Sequence, residues 1–321
     1  MSNGDPAEPA TAAATASDDT GFRTTAGAYA ELVRVPNLFT APPDVILGAA
    51  VVTAAGSAPS ILPIVGLTVV SILLYAGGTT LNDAFDANVD AQERPERPIP
   101  SGRVSKQAAF GFGFGLLLVA VVGAFLVAGV EAAVVAALLA TAIVAYDWAF
   151  KGTVVGFLAM GTTRGLNVIL GTTAAGVAIT ELGPRALAVA GIIVIYIAAV
   201  TFMAARETKG ENRGAVGVAA AGAAAALLVL GWYQLMIGPG LPEMAASLAF
   251  AGAFVWWIGR PLRAAYADPV PGTVGPAVGA CVLGLVLLNA SFAAATGVGW
   301  AIAAGVFLVP AVALSRVFDV T

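Results

Sequence analysis

The residues best equipped for chemistry lie in one stretch, Asn82-Asp83-Ala84-Phe85-Asp86-Ala87-Asn88-Val89-Asp90, directly after an apolar run. On a continuing helix Asp83, Asp86 and Asp90 stand at i, i+3 and i+7 and share one face. Three carboxylates so close repel one another, and their joint ionisation is costly. A hard divalent cation relieves that conflict, and Mg²⁺ commonly takes one or two carboxylates together with substrate phosphates. The plain alternative is a solvated acidic loop with an Asn cap. The next segment, Gln92-Glu93-Arg94-Pro95-Glu96-Arg97-Pro98-Ile99-Pro100-Ser101-Gly102, sets Arg94 and Arg97 beside the acids and stiffens the loop with proline. A guanidinium fork matches phosphate oxygens. Acids for Mg²⁺ and arginines for phosphate are the parts needed to hold a diphosphate. Asp–Arg pairs that only tie the loop down are the competing reading.

Arg164 is the other informative charge, because it falls near the middle of an apolar run over 152–178. An Arg at mid-span costs ~2.5–3.5 kcal/mol by insertion scales, so it is a functional-site candidate by default. Gly161, Arg164, Asn167 or Val168, and Gly171 share a small, polar helical stripe that should face the bundle interior. Arg164 then serves either a phosphate or a buried acid such as Asp44. A structural contact with Asp44 or Asn289 that fixes helix packing is the alternative.

These residues need a membrane scaffold to position them. Of 321 residues, 59% are hydrophobic and only 11% charged, against roughly 25% charged in a soluble domain. Mean hydropathy is +0.90, which excludes a soluble globular domain. A hydrocarbon core takes ~20 apolar helical residues to cross. Apolar runs near 37–55, 60–81, 107–128, 130–147, 152–178, 185–205, 214–237, 242–259, 274–295 and 297–315 predict nine or ten crossings. Residues 1–28 are acidic and Ala/Thr/Ser-rich and read as a disordered tail ahead of one transmembrane domain, 29–321.

The chain has no His and a single Cys, Cys281, which removes His-based catalysis and any disulfide within it. A net charge of −4 without a basic stripe argues against nucleic-acid binding. With ten spans, thirteen of the fifteen Lys and Arg fall in connections on one side, Arg185 lies opposite, and Arg164 is inside a span. The positive-inside rule makes that side cytoplasmic, with the N-terminus and the acidic loops on it.

The Asn82-Asp83-x-x-Asp86-x-x-x-Asp90 pattern, followed by Arg97-Pro98-x-x-x-Gly102 between the second and third spans, resembles the first aspartate motif of the UbiA superfamily of intramembrane prenyltransferases. Arg34-Val35-Pro36-Asn37 before the first span, and Tyr146 with Lys151 after the fourth, are similar to family positions. The resemblance covers about residues 29–315. Its usual second motif, Asp-x-x-x-Asp, is matched here by Glu207 and Glu211, which keep the i, i+4 spacing on one face. An ordinary charged helix end is the alternative there. Arg164-Gly165-Leu166-Asn167 is similar to a divergent, EboC-like branch.

The resemblance implies an all-α membrane bundle whose central cavity opens to the cytoplasmic loops. It implies transfer of a polyprenyl group from an isoprenyl diphosphate to a lipophilic acceptor, such as a quinone precursor, a glycerol phosphate lipid or a carotenoid. Mg²⁺ would sit on Asp83, Asp86, Glu207 and Glu211, while Arg94, Arg97, Lys151 and Arg164 bind diphosphate. Asn82 and Asp90 would orient the head group, and Asn37, Asp44, Tyr146 and Asn167 would line the substrate cavity. Membrane lipid is the surrounding partner, and no obligate protein partner is implied. Two other classes remain: a UbiA-fold protein that binds or moves a lipid without transfer, and an ion-coupled transporter. The transporter is disfavoured by charges concentrated in loops rather than at midplane.

Overall fold

The computed structural model describes residues 25–206 and 213–315, and every regular element among them is helical. A helix over 25–32 (α1) already covers the last residues assigned to the tail, and Ala28 and Leu32 pack on Ala84, Val104 and Ala109. Then come α2 (Val35–Leu38), α3 (Pro42–Ala54), α4 (Ile61–Glu93), α5 (Lys106–Ala145) and α6 (Val154–Thr172). The second half holds α7 (Pro184–Ala204), α8 (Arg213–Ile237), α9 (Leu241–Ala267) and α10 (Pro271–Thr296), followed by the short α11 (Val298–Gly305) and α12 (Leu308–Leu314).

Eight helical segments among the described residues are long and apolar enough to cross a membrane. One of them is two crossings. Inside α5, Gly129 takes φ 83°, a left-handed value that glycine adopts without a Cβ clash. The chain doubles back there: Gly113 and Leu117 meet Gly77 of α4, while Ile143 meets the adjacent Gly78. Residues 106–128 therefore run antiparallel to α4 and 130–145 run alongside it. That gives nine crossings among the described residues, and Val298–Leu314 adds a shorter apolar stretch divided between α11 and α12.

The first span is broken. Pro42 and Pro43 open α3 and have no N–H to give to the preceding turn, so α2 and α3 are separate pieces joined through residues 39–41. The break is inside the bundle, where Thr40 and Ala41 are buried. At the other end of the first loop, α4 does not stop with its apolar run at residue 81 but continues to Glu93, so the whole acidic motif is helical. Close helix contacts hold this half together. A Cβ on Gly48 of α3 would fall 2.0 Å from the Val168 carbonyl, and one on Gly171 of α6 would fall 2.0 Å from the Val45 carbonyl. Glycine at both positions lets the two backbones touch, the usual route to tight packing where lipid supplies no hydrophobic drive.

Candidate active site

A cavity of about 620 Å³ opens at the end of α4 and descends between α4, α5, α6 and the α2–α3 break. The α4 residues on its wall are Ser71, Leu74, Tyr75, Gly78, Thr79, Asn82, Asp86, Val89, Asp90 and Glu93, the i, i+3/i+4 stripe of one helical face. Facing them are Tyr146, Asp147 and Lys151 from the end of the α5 segment. There the backbone widens into a π-turn, Tyr146–Phe150, a deviation often found at functional sites. Arg94 and Arg97 border the mouth, and Met160, Thr163, Arg164 and Asn167 of α6 form the deep wall with Leu74, Leu139 and Ile143.

The mouth is a network of opposite charges. Arg97 donates through Nη1 to Asp90 Oδ2 at 2.8 Å and to Asp83 Oδ1 at 3.4 Å. Arg34 donates to the same Asp83 oxygen at 2.8 Å. It can do so because Arg34 itself adopts φ 50°, which breaks α1 from α2 and turns the guanidinium toward α4. Burial opposes the Arg34 charge, but Asp83 beside it raises its pKa above the ordinary arginine value. Lys151 pairs with Asp86, and Asn82 Nδ2 donates to Asp147 Oδ1 at 2.7 Å. The loop itself is pinned outside the cavity by Arg103, which forks onto both Glu31 carboxylate oxygens at 2.7 Å.

The deep cluster is built differently. Asp44, fully buried on the first turn of α3, accepts from Asn167 Nδ2 at 3.0 Å and from Asn289 Nδ2 at 2.5 Å. Arg164 Nε lies 3.0 Å from Asp44 Oδ2, and its Nη2 donates to the Thr40 carbonyl. Asn167 Nδ2 also donates to the Ala41 carbonyl at 2.9 Å. The broken span leaves carbonyls 40 and 41 accessible to side chains, and Arg164 and Asn167 take them up. The Arg164–Asp44 contact offered as the structural alternative is therefore present, and it neutralises the mid-span charge.

Of the residues singled out from sequence, Asn82, Asp86, Asp90, Arg94, Arg97, Tyr146, Lys151, Arg164 and Asn167 meet on this one cavity. Three do not reach its wall. Asp83 turns to the neighbouring face of α4, where Arg34 and Arg97 hold it. Asp44 sits behind Arg164. Asn37 lies in the short α2 turn, with its carbonyl accepting from Thr40 Oγ1. Glu207 and Glu211 lie outside the described residues. Sequence reasoning missed Asp147, which is isolated in an apolar run, and left Arg34 as part of a motif without a role.

The wall's donor set suits Mg²⁺. Among the described residues no three carboxylates converge closely enough to cage an ion. Mg²⁺ does not need such a cage, since carboxylates such as Asp86 and Asp90 plus substrate phosphate oxygens would satisfy it.

A family model described as the UbiA prenyltransferase family matches residues 45–270. The chain belongs to that family. Among its UbiA relatives, the digeranylgeranylglyceryl phosphate synthase of Methanopyrus kandleri is 40% identical over 126 residues, 39% of this chain and 45% of that protein. The enzyme of the same name from Haloquadratum walsbyi is 34% identical over 190 residues, 59% of this chain and 62% of that one. The matched part thus spans about half to three-fifths of these two relatives' lengths. A UbiA homologue from Aeropyrum pernix superposes with TM-score 0.63 at 14% identity, covering 80% of this chain and 97% of its own. One from Archaeoglobus fulgidus, bound to DMAPP and Mg²⁺, gives 0.60 at 14% identity over 90% and 99%. These likenesses establish the UbiA fold for the bundle.

Proposed function

We propose that this protein transfers a prenyl group from an isoprenyl diphosphate to a lipophilic acceptor within the membrane, with Mg²⁺. The observation that carries the reading is one cavity with a charged mouth and, deeper, the apolar side chains of Leu74, Leu139, Ile143 and Met160 on its wall. Arg94, Arg97 and Lys151 bind diphosphate oxygens, with Arg97 and Lys151 exchanging their present carboxylate partners for phosphate. Asp86 and Asp90, the two motif carboxylates on the cavity wall, would hold Mg²⁺. When bound, the ion neutralises charge on the leaving diphosphate. Asn82, fixed by Asp147, orients the head group. Leu74, Leu139, Ile143 and Met160 enclose the start of the prenyl chain and keep water from the allylic cation left when the diphosphate departs.

The relatives' names favour a glycerol phosphate lipid as acceptor over a quinone precursor or carotenoid. The loop charges support placing the mouth and the N-terminus on the cytoplasmic side of the cell membrane. Non-catalytic lipid binding is the second reading, favoured by the pairing of Asp83, Asp86 and Asp90 with basic side chains. The test supplies purified protein with labelled geranylgeranyl diphosphate and membrane lipid extract, with and without Mg²⁺. Transfer predicts diphosphate release and a labelled lipid only with Mg²⁺. No product across quinone-precursor, glycerol phosphate and carotenoid acceptors would leave the binding reading standing.

A further inference from the structure

Each prenyl group transferred displaces one proton from the acceptor, and a well-placed general base speeds that loss. The chain has no His, so the task falls to a carboxylate. Four carboxylates line the cavity: Asp86, Asp90, Glu93 and Asp147. Asp86 is paired with Lys151 and Asp90 with Arg97, and an ion-paired carboxylate takes up a proton reluctantly. Glu93 is exposed at the last residue of α4. Asp147 differs from all three. It is buried, and it takes no part in the ion pairs made by Arg34, Arg97 and Lys151.

The hydrogen bond on Asp147 comes from a neutral amide, Asn82 Nδ2 to Oδ1 at 2.7 Å. That leaves Oδ2 free on a residue of the cavity wall. Among the described residues, the polar side-chain atoms sealed without a partner are Ser71 Oγ, Arg164 Nε, Asn167 Oδ1 and Asn289 Oδ1. Asp147 Oδ2 is not one of them, so it is open to the cavity. Its height in the cavity points the same way. Asn82 stands one turn of α4 below Asp86, ~5–6 Å along the axis, and one turn above Gly78, against which Ile143 packs. Asp147 therefore lies where the charged mouth gives way to the apolar wall. A diphosphate held by Arg94, Arg97 and Lys151, with its chain along Ile143, Leu139 and Leu74, has its first carbon at this level.

We infer that Asp147 is the catalytic base that takes the acceptor's proton, an assignment that rests on the prenyl-transfer reading. In this step the bond between C1 and oxygen of the isoprenyl diphosphate breaks, and its electron pair leaves with the diphosphate. An electron pair of the acceptor forms the new bond to C1. The proton displaced from the acceptor passes to Asp147 Oδ2, and water at the mouth removes it once the products have left. Asn82 holds the other oxygen and keeps the carboxylate turned to the cavity.

The experiment supplies the full chain in lipid nanodiscs with labelled geranylgeranyl diphosphate, membrane lipid extract and Mg²⁺. Asp147→Asn still offers Asn82 an acceptor oxygen but cannot take a proton. Its labelled product should form about 100-fold more slowly than that of wild type, with Mg²⁺-dependent binding of geranylgeranyl thiolodiphosphate within about twofold. Asp147→Ala leaves room for a small molecule, and added formate should raise its rate about tenfold while formamide, an acceptor without basicity, should not. A near wild-type rate in Asp147→Asn overturns the base. So does a loss of analogue binding as large as the loss of rate, or a response to formate no greater than that to formamide. No labelled product from wild type sinks the transfer reading and the base with it, whereas wild-type transfer with any of the other results overturns the base alone.

Discussion

Two clusters of acid–base pairs border one cavity, and their surroundings set them apart. At the mouth, Asp83, Asp86 and Asp90 are paired with Arg34, Lys151 and Arg97, side chains that reach in from loops and helix ends. The Lys151 side chain is 38% exposed, so water can replace either partner. In the interior, Asp44 is held by Arg164 and two asparagines, and Arg164 in turn caps the Thr40 carbonyl of a broken span. The same chemistry, a carboxylate against a cationic side chain, is exchangeable in one place and locked in the other. Position in the bundle, more than residue type, decides which charges are available to a substrate.

The largest effect should come from breaking the locked cluster. Arg164→Met strands the Asp44 carboxylate without a counter-charge, and removal of one partner from a buried pair costs about 3–5 kcal/mol. Thermal unfolding in detergent should show a steep fall in the midpoint. Adding Asp44→Asn should recover part of it, since the double variant buries no lone charge. Next is the mount of that cluster. Gly171→Ala drives a methyl into the Val45 carbonyl and should cost about 2 kcal/mol, read in the same melt.

Mouth substitutions should separate function from stability. Lys151→Gln removes the charged donor from Asp86, an exposed pair, and should raise KM for the isoprenyl diphosphate about tenfold while the melt moves little. A melt shift as large as that of Arg164→Met would erase the distinction between the clusters. The smallest effect belongs to Arg103→Ala. Its pair with Glu31 is well hydrated, with the side chains 37% and 45% exposed, and such pairs are worth about 0–1 kcal/mol.

Much of the mouth was legible in the sequence because its signals are local. The spacing of Asp83, Asp86 and Asp90 is meaningful on any helix, and Arg94 and Arg97 follow within a few residues. The reversal at Gly129 was also readable, as a break between two apolar runs. What could not be read depends on long-range placement. Asp147 matters because it meets Asn82, 65 positions earlier, across two helices. Asp83 sits off the cavity-facing stripe of α4, and its partner Arg34 reaches it from a left-handed backbone that no local rule demands of an arginine. The Pro42-Pro43 break is visible as a pair of prolines, yet an apolar run over 37–55 reads as one continuous span until the buried carbonyls of Thr40 and Ala41 are seen with their partners.

The central claim is that the mouth carboxylates serve a Mg²⁺-bound diphosphate and are dispensable for the fold. Asp86→Asn tests it most directly, because it keeps the shape of the side chain and removes its charge. Diphosphate release from geranylgeranyl diphosphate, with and without Mg²⁺, should be measured beside the thermal midpoint of the same samples. The account predicts release about 100-fold slower than wild type in Mg²⁺, with a midpoint within a few degrees. Wild-type rates in the variant, or release that ignores Mg²⁺ in both proteins, would contradict it.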